Sequence, residues 1–367
     1  MSRKSKTAVI KVSIKEAKTI LKEFAEKHLQ LGRDGAHYSK YTPIFLRSEP
    51  GIGKTSICAQ TAEELSVPFY PIQASVRESV DLSGLPSETT VQRRRLDGSH
   101  EDIRATSWLA PDFFTRPAGT LYLIDEITKA PHMMGAVSML AFERYVGEHR
   151  MPDGSTIVFA GNREEDNAGD MPLPSQLADR LMILDVFSTY KHFLEHAAER
   201  GLNPLITGYV AHYGQRSFSF DPEQECNATY RSWSMVNNIL DKDLSATAKA
   251  ACLAGYVGNE HAQQFMAYLA WNADMDPPEY IIANPTTARV PTGENAIGKS
   301  YAIVSALIGH VNVKTIGPIM TYLTRLNNKE MTVYAVRDMM LRDPKVAGAP
   351  ALRDWKLKNS ALFTPVV

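Results

Sequence analysis

The sequence has few cysteines, no long apolar run and almost no net charge, and each of these absences excludes a class of protein. Its three cysteines, Cys58, Cys226 and Cys252, are far apart and form no C-x-x-C pair. They therefore predict buried thiols in a reducing compartment rather than disulfides or a zinc site. No apolar run reaches the length of a membrane span, and the first residues lack the apolar core of a signal peptide. We therefore expect a cytoplasmic protein without a membrane anchor.

The charge balance provides no overall field that would attract the chain to nucleic acid or to an anionic membrane. Lysine and arginine total 40 residues against 41 aspartates and glutamates, so the formal net charge is −1. Of the 367 residues, 44% are hydrophobic and 22% are charged, which is typical of a globular protein. This length predicts two or three domains.

One stretch has the pattern and the context of a phosphate-binding loop. Its residues are Ser48-Glu49-Pro50-Gly51-Ile52-Gly53-Lys54-Thr55. An apolar run precedes it and a helical pattern follows it, so backbone N–H groups of the loop and of the helix N-terminus are expected to converge on an anion. Gly51 and Gly53 let the backbone wrap a phosphate. Lys54 is expected to reach the β- and γ-phosphates, and the Thr55 hydroxyl to bind Mg²⁺.

The strict pattern G-x-x-x-x-G-K-[ST] occurs at residues 293–300, but its context argues against a phosphate site there. Residues 284–291, which precede it, carry two prolines and make a poor core strand. No apolar strand ending in two carboxylates follows it. The loop at 48–55 departs from the pattern only in Ser48, where glycine is usual. Because a motif is confirmed by its structural context, we predict that Lys54 binds nucleotide and that Lys299 does not.

Polar side chains end two later apolar runs and complete the predicted site. Residues 119–124 predict a central parallel strand that is buried on both faces, and Asp125 and Glu126 follow it. We expect Asp125 to bind Mg²⁺ through water and Glu126 to polarise the water that attacks the γ-phosphate. Residues 156–161 predict a further strand that ends at Asn162, which we expect to orient the same water.

Five apolar runs alternate with helical patterns up to about residue 188, and helical patterns dominate beyond it. This order predicts a doubly wound α/β sheet with ligands at the carboxyl ends of its strands, followed by a helical domain. We divide the chain into a helical lead-in (1–40), a nucleotide-binding α/β core (41–188), a helical lid with its extension (189–344) and a loosely ordered tail (345–367).

Residues from about 88 to 110 predict a hairpin inserted into the core, because two β-prone runs flank the turn Asp97-Gly98-Ser99. The hairpin is rich in arginine, at positions Arg93, Arg94, Arg95 and Arg104. Two interpretations stay open at this point: a solvated hairpin, or a pore loop that grips a substrate inside a ring.

Together these motifs resemble the MoxR branch of the AAA+ ATPases, in the group with a helix-2 insertion and a hairpin before sensor 1. The matching segments are Glu49-Pro50-Gly51-Ile52-Gly53-Lys54-Thr55, Leu123-Ile124-Asp125-Glu126-Ile127, Ala160-Gly161-Asn162-Arg163-Glu164, Leu177-Ala178-Asp179-Arg180 and Tyr230-Arg231-Ser232-Trp233. The resemblance implies a P-loop NTPase fold with a C-terminal helical lid, and ATP and Mg²⁺ as ligands.

By matching position, the resemblance implies that Asn162 is sensor 1, Arg180 is an arginine finger that enters the neighbouring subunit's site, and Arg231 is sensor 2. Arg231 begins a predicted helix, an unfavourable place for a cation, which fits a residue that reaches a phosphate. The family usually has proline before this arginine, where this chain has Tyr230. The predicted nucleotide contacts are Glu49, Pro50, Gly51, Ile52, Gly53, Lys54, Thr55, Ser56 and Arg231. The predicted Mg²⁺ ligands are Thr55 and Asp125, and the predicted catalytic residues are Glu126, Asn162 and Arg180.

The resemblance implies an ATP-hydrolysing, chaperone-like remodeller that forms homo-oligomeric rings, usually hexamers. Such proteins often work with a partner that carries a von Willebrand factor A domain, and this chain has no such domain. Two alternatives stay open. A DNA-associated AAA+ motor is favoured by the arginines of the hairpin and opposed by the neutral net charge. A nucleotide-stabilised structural ring is opposed by the Asp125-Glu126 pair.

Overall fold

The apolar runs in the first half of the chain pair into one parallel sheet in the computed structural model, which describes residues 10–163, 166 and 170–359. The chain divides into two units between Phe187 and Ser188. The strands and helices of the first unit are β1 (Lys11–Ser13), α1 (Ile14–Arg33), β2 (Ile44–Ser48), α2 (Lys54–Glu64), β3 (Phe69–Gln73), α3 (Val80–Ser83), β4 (Leu85–Arg94), β5 (His100–Leu109), β6 (Leu121–Asp125), α4 (Met134–Glu143), β7 (Tyr145–Val146), β8 (His149–Arg150), β9 (Thr156–Asn162), α5 (Ser175–Ala178) and β10 (Met182–Phe187). Short 3₁₀ turns lie at Tyr38–Lys40, Ala74–Val76, Asp112–Thr115, Ile127–Lys129 and Pro131–Met133.

The sheet has the order β1-β10-β2-β9-β6-β3, and every neighbouring pair is parallel. Its central strands are buried on both faces. In β6, Tyr122 and Ile124 pack into one hydrophobic cluster, whereas Leu121 and Leu123 pack into another on the opposite face. The five predicted core strands are β2, β3, β6, β9 and β10. The predicted fold class is therefore confirmed: a parallel α/β sheet, followed by a helical region.

One strand was missed, because residues 11–13 fall in the predicted helical lead-in. They form β1, which pairs with β10 at the edge of the sheet. Three residues are too few to produce a strand periodicity that could be recognised. Ser13 ends this strand and caps α1: its hydroxyl accepts a hydrogen bond from the Glu16 N–H, and the Glu16 carboxylate accepts one from the Ser13 N–H.

Besides the six-stranded sheet, the first unit has two antiparallel hairpins, each of which is a separate two-stranded sheet. Strands β4 and β5 pair over their full ten residues, from Leu85 opposite Leu109 to Arg94 opposite His100. Their side chains are mostly exposed. The second hairpin, β7–β8, is only two residues long on each side.

The second unit is helical, as its sequence pattern indicated. Its helices are α6 (Tyr190–Glu199), α7 (Pro204–Tyr213), α8 (Tyr230–Leu240), α9 (Ala246–Ala273), α10 (Pro278–Ala283), α11 (Ala296–Gly309), α12 (Ile316–Arg325), α13 (Lys329–Arg342) and α14 (Pro350–Lys358), with 3₁₀ turns at Gly214–Ser217 and Pro344–Gly348. Gly258, at φ 80° and ψ 163°, divides α9 into two segments. Trp233 is fully buried in the core of this unit and donates from Nε1 to the Ser217 carbonyl at 2.7 Å.

The expectation of a loosely ordered tail at 345–367 is wrong for the part that the structure describes. Residues up to 359 form a 3₁₀ turn and α14, and Val346, Ala349 and Leu352 pack into the core of the second unit. Two prolines and a glycine interrupt residues 344–350, so this segment gave little helical signal in the sequence. Residues 360–367 lie outside the described ranges. Within those ranges, no helix combines the length and the apolar content that a membrane crossing needs.

A buried histidine connects the N-terminal helix to the sheet. His28 of α1 accepts a hydrogen bond from the Thr42 N–H at Nε2, at 3.0 Å, and its Nδ1 lies 3.0 Å from the Thr156 hydroxyl of β9. Because Nε2 is an acceptor, the ring is neutral with its proton on Nδ1. Burial, followed by the positive charges of Arg144 and Lys27, lowers its pKa from 6.5 to about 3.

This histidine is predicted to make stability depend on pH. Between about pH 3 and 6.5 the unfolded chain binds a proton at His28 that the folded chain does not. The stability present above pH 6.5 is therefore lost as the pH falls, by about 2 kcal/mol from pH 6.5 to pH 5. We expect His28→Gln to lack this part of the slope in urea unfolding, whereas His100→Gln, on the exposed hairpin, should retain it. Equal slopes for wild type and His28→Gln would contradict the prediction.

Candidate functional site

The polar ends of three neighbouring strands and one glycine loop come together at one edge of the sheet. The loop lies between β2 and α2 and consists of Glu49, Pro50, Gly51, Ile52 and Gly53, and the first turn of α2 consists of Lys54, Thr55 and Ser56. Gly51 and Gly53 have φ values of 77° and 106°, which only glycine adopts without strain. Gly53 has no side chain to cap α2, so N–H groups of the first turn can bind an anion.

The Lys54 side chain is buried and points at the end of β9. Its Nζ donates to the Ser48 hydroxyl at 2.8 Å, to the Asn162 Oδ1 at 3.0 Å and to the Glu49 carbonyl at 3.4 Å. Ser48 and Asn162 are directly opposite each other in the β2–β9 register. Ser48 therefore has a role at the position where glycine is usual: its buried hydroxyl donates to the Glu49 carbonyl at 2.8 Å and accepts from Lys54.

Thr55 and Asp125 form a contact that fits the predicted Mg²⁺ site. The Thr55 hydroxyl donates to the Asp125 Oδ2 at 3.0 Å. A hydroxyl and a carboxylate are hard oxygen ligands of the kind that Mg²⁺ binds, with water and phosphate oxygens filling its other positions. No cluster of three or more metal-ligating side chains occurs among the described residues.

Glu126 follows Asp125 in a left-handed conformation, with φ 57°. Its Oε2 accepts hydrogen bonds from Gln73 Nε2 at 2.8 Å and from the Ser75 hydroxyl at 2.5 Å. Burial raises the pKa of Glu126, but these two hydrogen bonds and the Lys129 ammonium outweigh it, and the net shift is downwards. The carboxylate is therefore ionised near neutral pH, the state needed to polarise a water molecule.

The side chain of Asn162 is oriented by a second carboxylate. Its Nδ2 donates to the Asp170 Oδ2 at 3.2 Å, which leaves Oδ1 directed at Lys54. Thr128 also donates its hydroxyl to Asp170. Sequence reasoning missed Gln73, Ser75 and Asp170. Of these, only Gln73 could have been recognised from the sequence, because it is a polar residue at the end of the strand next to β6.

Of the two predicted arginines, Arg180 belongs to the first unit and Arg231 to the second. Arg180 follows α5 and is exposed, and its guanidinium lies over the ring of Phe142. No carboxylate among the described residues pairs with it, so the alternative of a local bridge to Asp179 receives no support there. Arg231 is exposed in the first turn of α8 in the second unit, where Thr229 caps the helix. Glu164, part of the matched sequence motif, lies outside the described residues.

The second glycine-lysine motif, at residues 293–300, is explained by helix packing and not by a phosphate-binding loop. No described strand leads into it, and Gly298 lies within α11, where a Cβ would come within 2.3 Å of the Trp271 ring. This glycine permits close helix packing. Lys299 lies 3.4 Å from the Asp274 carboxylate. The rejection of this motif therefore agrees with the geometry.

The two lysines are predicted to differ in nucleotide binding. Lys54→Ala should abolish binding of a fluorescent ATP analogue in the presence of Mg²⁺, because the ammonium in the loop is lost. Lys299→Ala is the matched control and should bind as wild type does. Circular dichroism would verify that both variants are folded. Equal loss of binding in the two variants would contradict the assignment of the loop.

No protein-family model matches the chain, and no curated protein matches it. Among solved structures, the chain is similar to RuvB from Thermotoga maritima, described as a Holliday junction branch migration motor, at 15% identity and a TM-score of 0.37, over 83% of this chain and 89% of that one. A mutant of the same protein aligns at 15% identity and a TM-score of 0.38, over 84% of this chain and 88% of that one. At this low similarity, the fold assignment depends on the strand order and the loop geometry of this chain.

Proposed function

We propose that the chain binds Mg²⁺ and ATP at the carboxyl ends of β2, β6 and β9 and hydrolyses ATP to ADP and phosphate. One observation carries the proposal. A loop of phosphate-binding geometry with its lysine, a hydroxyl–carboxylate pair and an ionised glutamate come from two separate segments, residues 49–55 and 125–126, and meet at one edge of the sheet. Ligand sites at this edge are typical of parallel α/β folds.

Each residue has a distinct task in this proposal. Thr55 and Asp125 hold Mg²⁺, which neutralises charge on the phosphates when it is bound. Lys54 exchanges its present oxygen acceptors for phosphate oxygens. Glu126 polarises the attacking water, for which its carboxylate must leave Gln73 and Ser75 or share them. Asn162 orients that water once Lys54 has moved towards the nucleotide.

We further propose that the chain is a MoxR-like remodeller that acts as a ring, with a hexamer as the expected form. The guanidinium of Arg180 is exposed, stacks on Phe142 and pairs with no carboxylate in the part of the chain that the structure describes, which supports a role in a neighbouring subunit's site. Arg231 is proposed to contact nucleotide as sensor 2. A protein with a von Willebrand factor A domain is the proposed partner, and a Glu126→Gln variant that retains ATP would serve to capture it.

The hairpin charges favour a protein substrate over DNA. Residues 85–109 contain four arginines and four acidic residues, so their formal charges cancel. Arg93 and Arg95 both pair with Glu101, and Arg104 lies 3.6 Å from the Glu88 carboxylate. A hairpin neutralised in this way provides little attraction for phosphates. The DNA-associated motor and the structural ring are outcomes of the following test.

We predict Mg²⁺-dependent ATP hydrolysis that DNA does not stimulate. Glu126→Gln should still bind ATP but turn it over about 10²–10⁴-fold more slowly, the contribution expected of a general base. Phosphate release would be measured with and without duplex and single-stranded DNA. Stimulation by DNA would favour the motor. Binding without any turnover by the wild-type protein would favour the structural ring.

Arg180→Ala is predicted to bind ATP normally and to hydrolyse it roughly 10³–10⁵-fold more slowly, as measured for arginine fingers in other nucleotide hydrolases. Mixing it with Lys54→Ala should restore some activity, because one type of interface then pairs an intact loop with an intact finger. Sedimentation with Mg²⁺ and ATP would establish that mixed rings form. Absence of rescue in such rings, or a monomer under every nucleotide condition, would contradict a finger that acts in trans.

A further inference from the structure

Two consecutive residues at the end of β9 hold the two ends of the phosphate loop. Asn162 accepts from Lys54, where the loop enters α2, at 3.0 Å. Arg163 donates from a terminal nitrogen to the Glu49 carboxylate, where the loop leaves β2, at 3.1 Å. Asn162 belongs to the site already described, whereas the role of Arg163 follows only from its contacts.

Arg163 is fixed by partners that do not involve the loop. Its Nε and the second terminal nitrogen both lie 2.9 Å from the Asp185 Oδ1 of β10, and that nitrogen also donates to the Val186 carbonyl at 3.1 Å. Its side chain is 8% exposed, and the Asp185 carboxylate supplies a buried counter-charge. Asp185 thus already compensates the buried charge of Arg163, and the bridge to Glu49 is an additional contact.

The Glu49 carboxylate holds the phosphate loop in place and does not belong to the buried core. Its side chain is 55% exposed, and a glutamate at such a position would be fully hydrated without the bridge. Because Arg163 is already immobilised, forming the bridge restricts only the glutamate side chain. The Glu49 carbonyl, on the same residue, accepts from Ser48 and from Lys54. Fixing Glu49 therefore also fixes its own carbonyl and the Ser48 hydroxyl, which are two of the groups that bond to the Lys54 ammonium.

We propose that Arg163 is a positioning residue, which fixes the start of the phosphate loop through Glu49 and so raises the affinity for Mg²⁺ and ATP. This inference rests on the proposed function of the same site. Arg163 binds Asp185 with one part of its guanidinium and Glu49 with another, which a lysine ammonium at that position cannot reproduce. Arg163→Lys is therefore expected to keep the pairing with Asp185 and to lose the bridge to the loop.

The test is a double-mutant cycle on the Kd of a fluorescent ATP analogue with Mg²⁺. Glu49→Ala and Arg163→Lys should each raise the Kd about tenfold, the size expected for one charge-assisted hydrogen bond. The double variant should be no weaker than either single variant, because both remove the same bridge. In hydrolysis, KM should rise by a similar factor while kcat changes little, as for an interaction made before and during the reaction.

Glu64→Gln is the matched control. Glu64 pairs with Lys18 at 2.7 Å and with Lys22 at 3.0 Å, at the opposite end of α2, and this variant should leave the Kd unchanged. Additive effects of Glu49→Ala and Arg163→Lys would overturn the inference, as would a Glu49→Ala variant that binds like wild type even if Arg163→Lys fails to fold. Failure of the proposed function would look different from failure of this inference. In that case the wild type would bind the ATP analogue no better than Lys54→Ala does.

Discussion

The parallel register between β2 and β9 is the constraint on which the rest of the site depends. It places Ser48 opposite Asn162, and the buried ammonium of Lys54 is held between their side chains. The same alignment brings Arg163, one residue further, within reach of Glu49. A slip of one residue in this pairing would turn the alternate side chains of β9 to the opposite face of the sheet and separate these groups. The apolar residues of both strands, buried in clusters on the two faces, prevent such a slip.

Much of this arrangement could be predicted, because buried parallel strands are recognisable as apolar runs and their ligand-binding edge is the carboxyl one. Asp125 and Asn162 were found in this way. Gln73, Ser75 and Asp170 were not, because their contacts depend on which strands become neighbours and on the paths of the loops between them. Neither property is encoded in a local periodicity.

The two glycine-lysine segments show that agreement with a motif does not by itself identify a site. The loop at 48–55 lacks its first glycine, yet Ser48 supplies a hydroxyl that bonds to the lysine of the same loop. The segment at 293–300 matches the pattern fully, yet Gly298 is there because Trp271 leaves no room for a Cβ. The arginines of the hairpin show the same dependence on context, since Arg93 and Arg95 pair with Glu101, and Arg104 with Glu88, once the strands align.

The central claim, that the loop of the first unit binds the phosphates of ATP, is tested most directly by hydrogen–deuterium exchange. Backbone N–H groups that donate to phosphate oxygens exchange slowly. Adding ATP and Mg²⁺ is predicted to slow exchange at residues 51–56 and to leave residues 293–300 unchanged. Protection at 293–300, or no change at 51–56 with saturating nucleotide, would contradict the account.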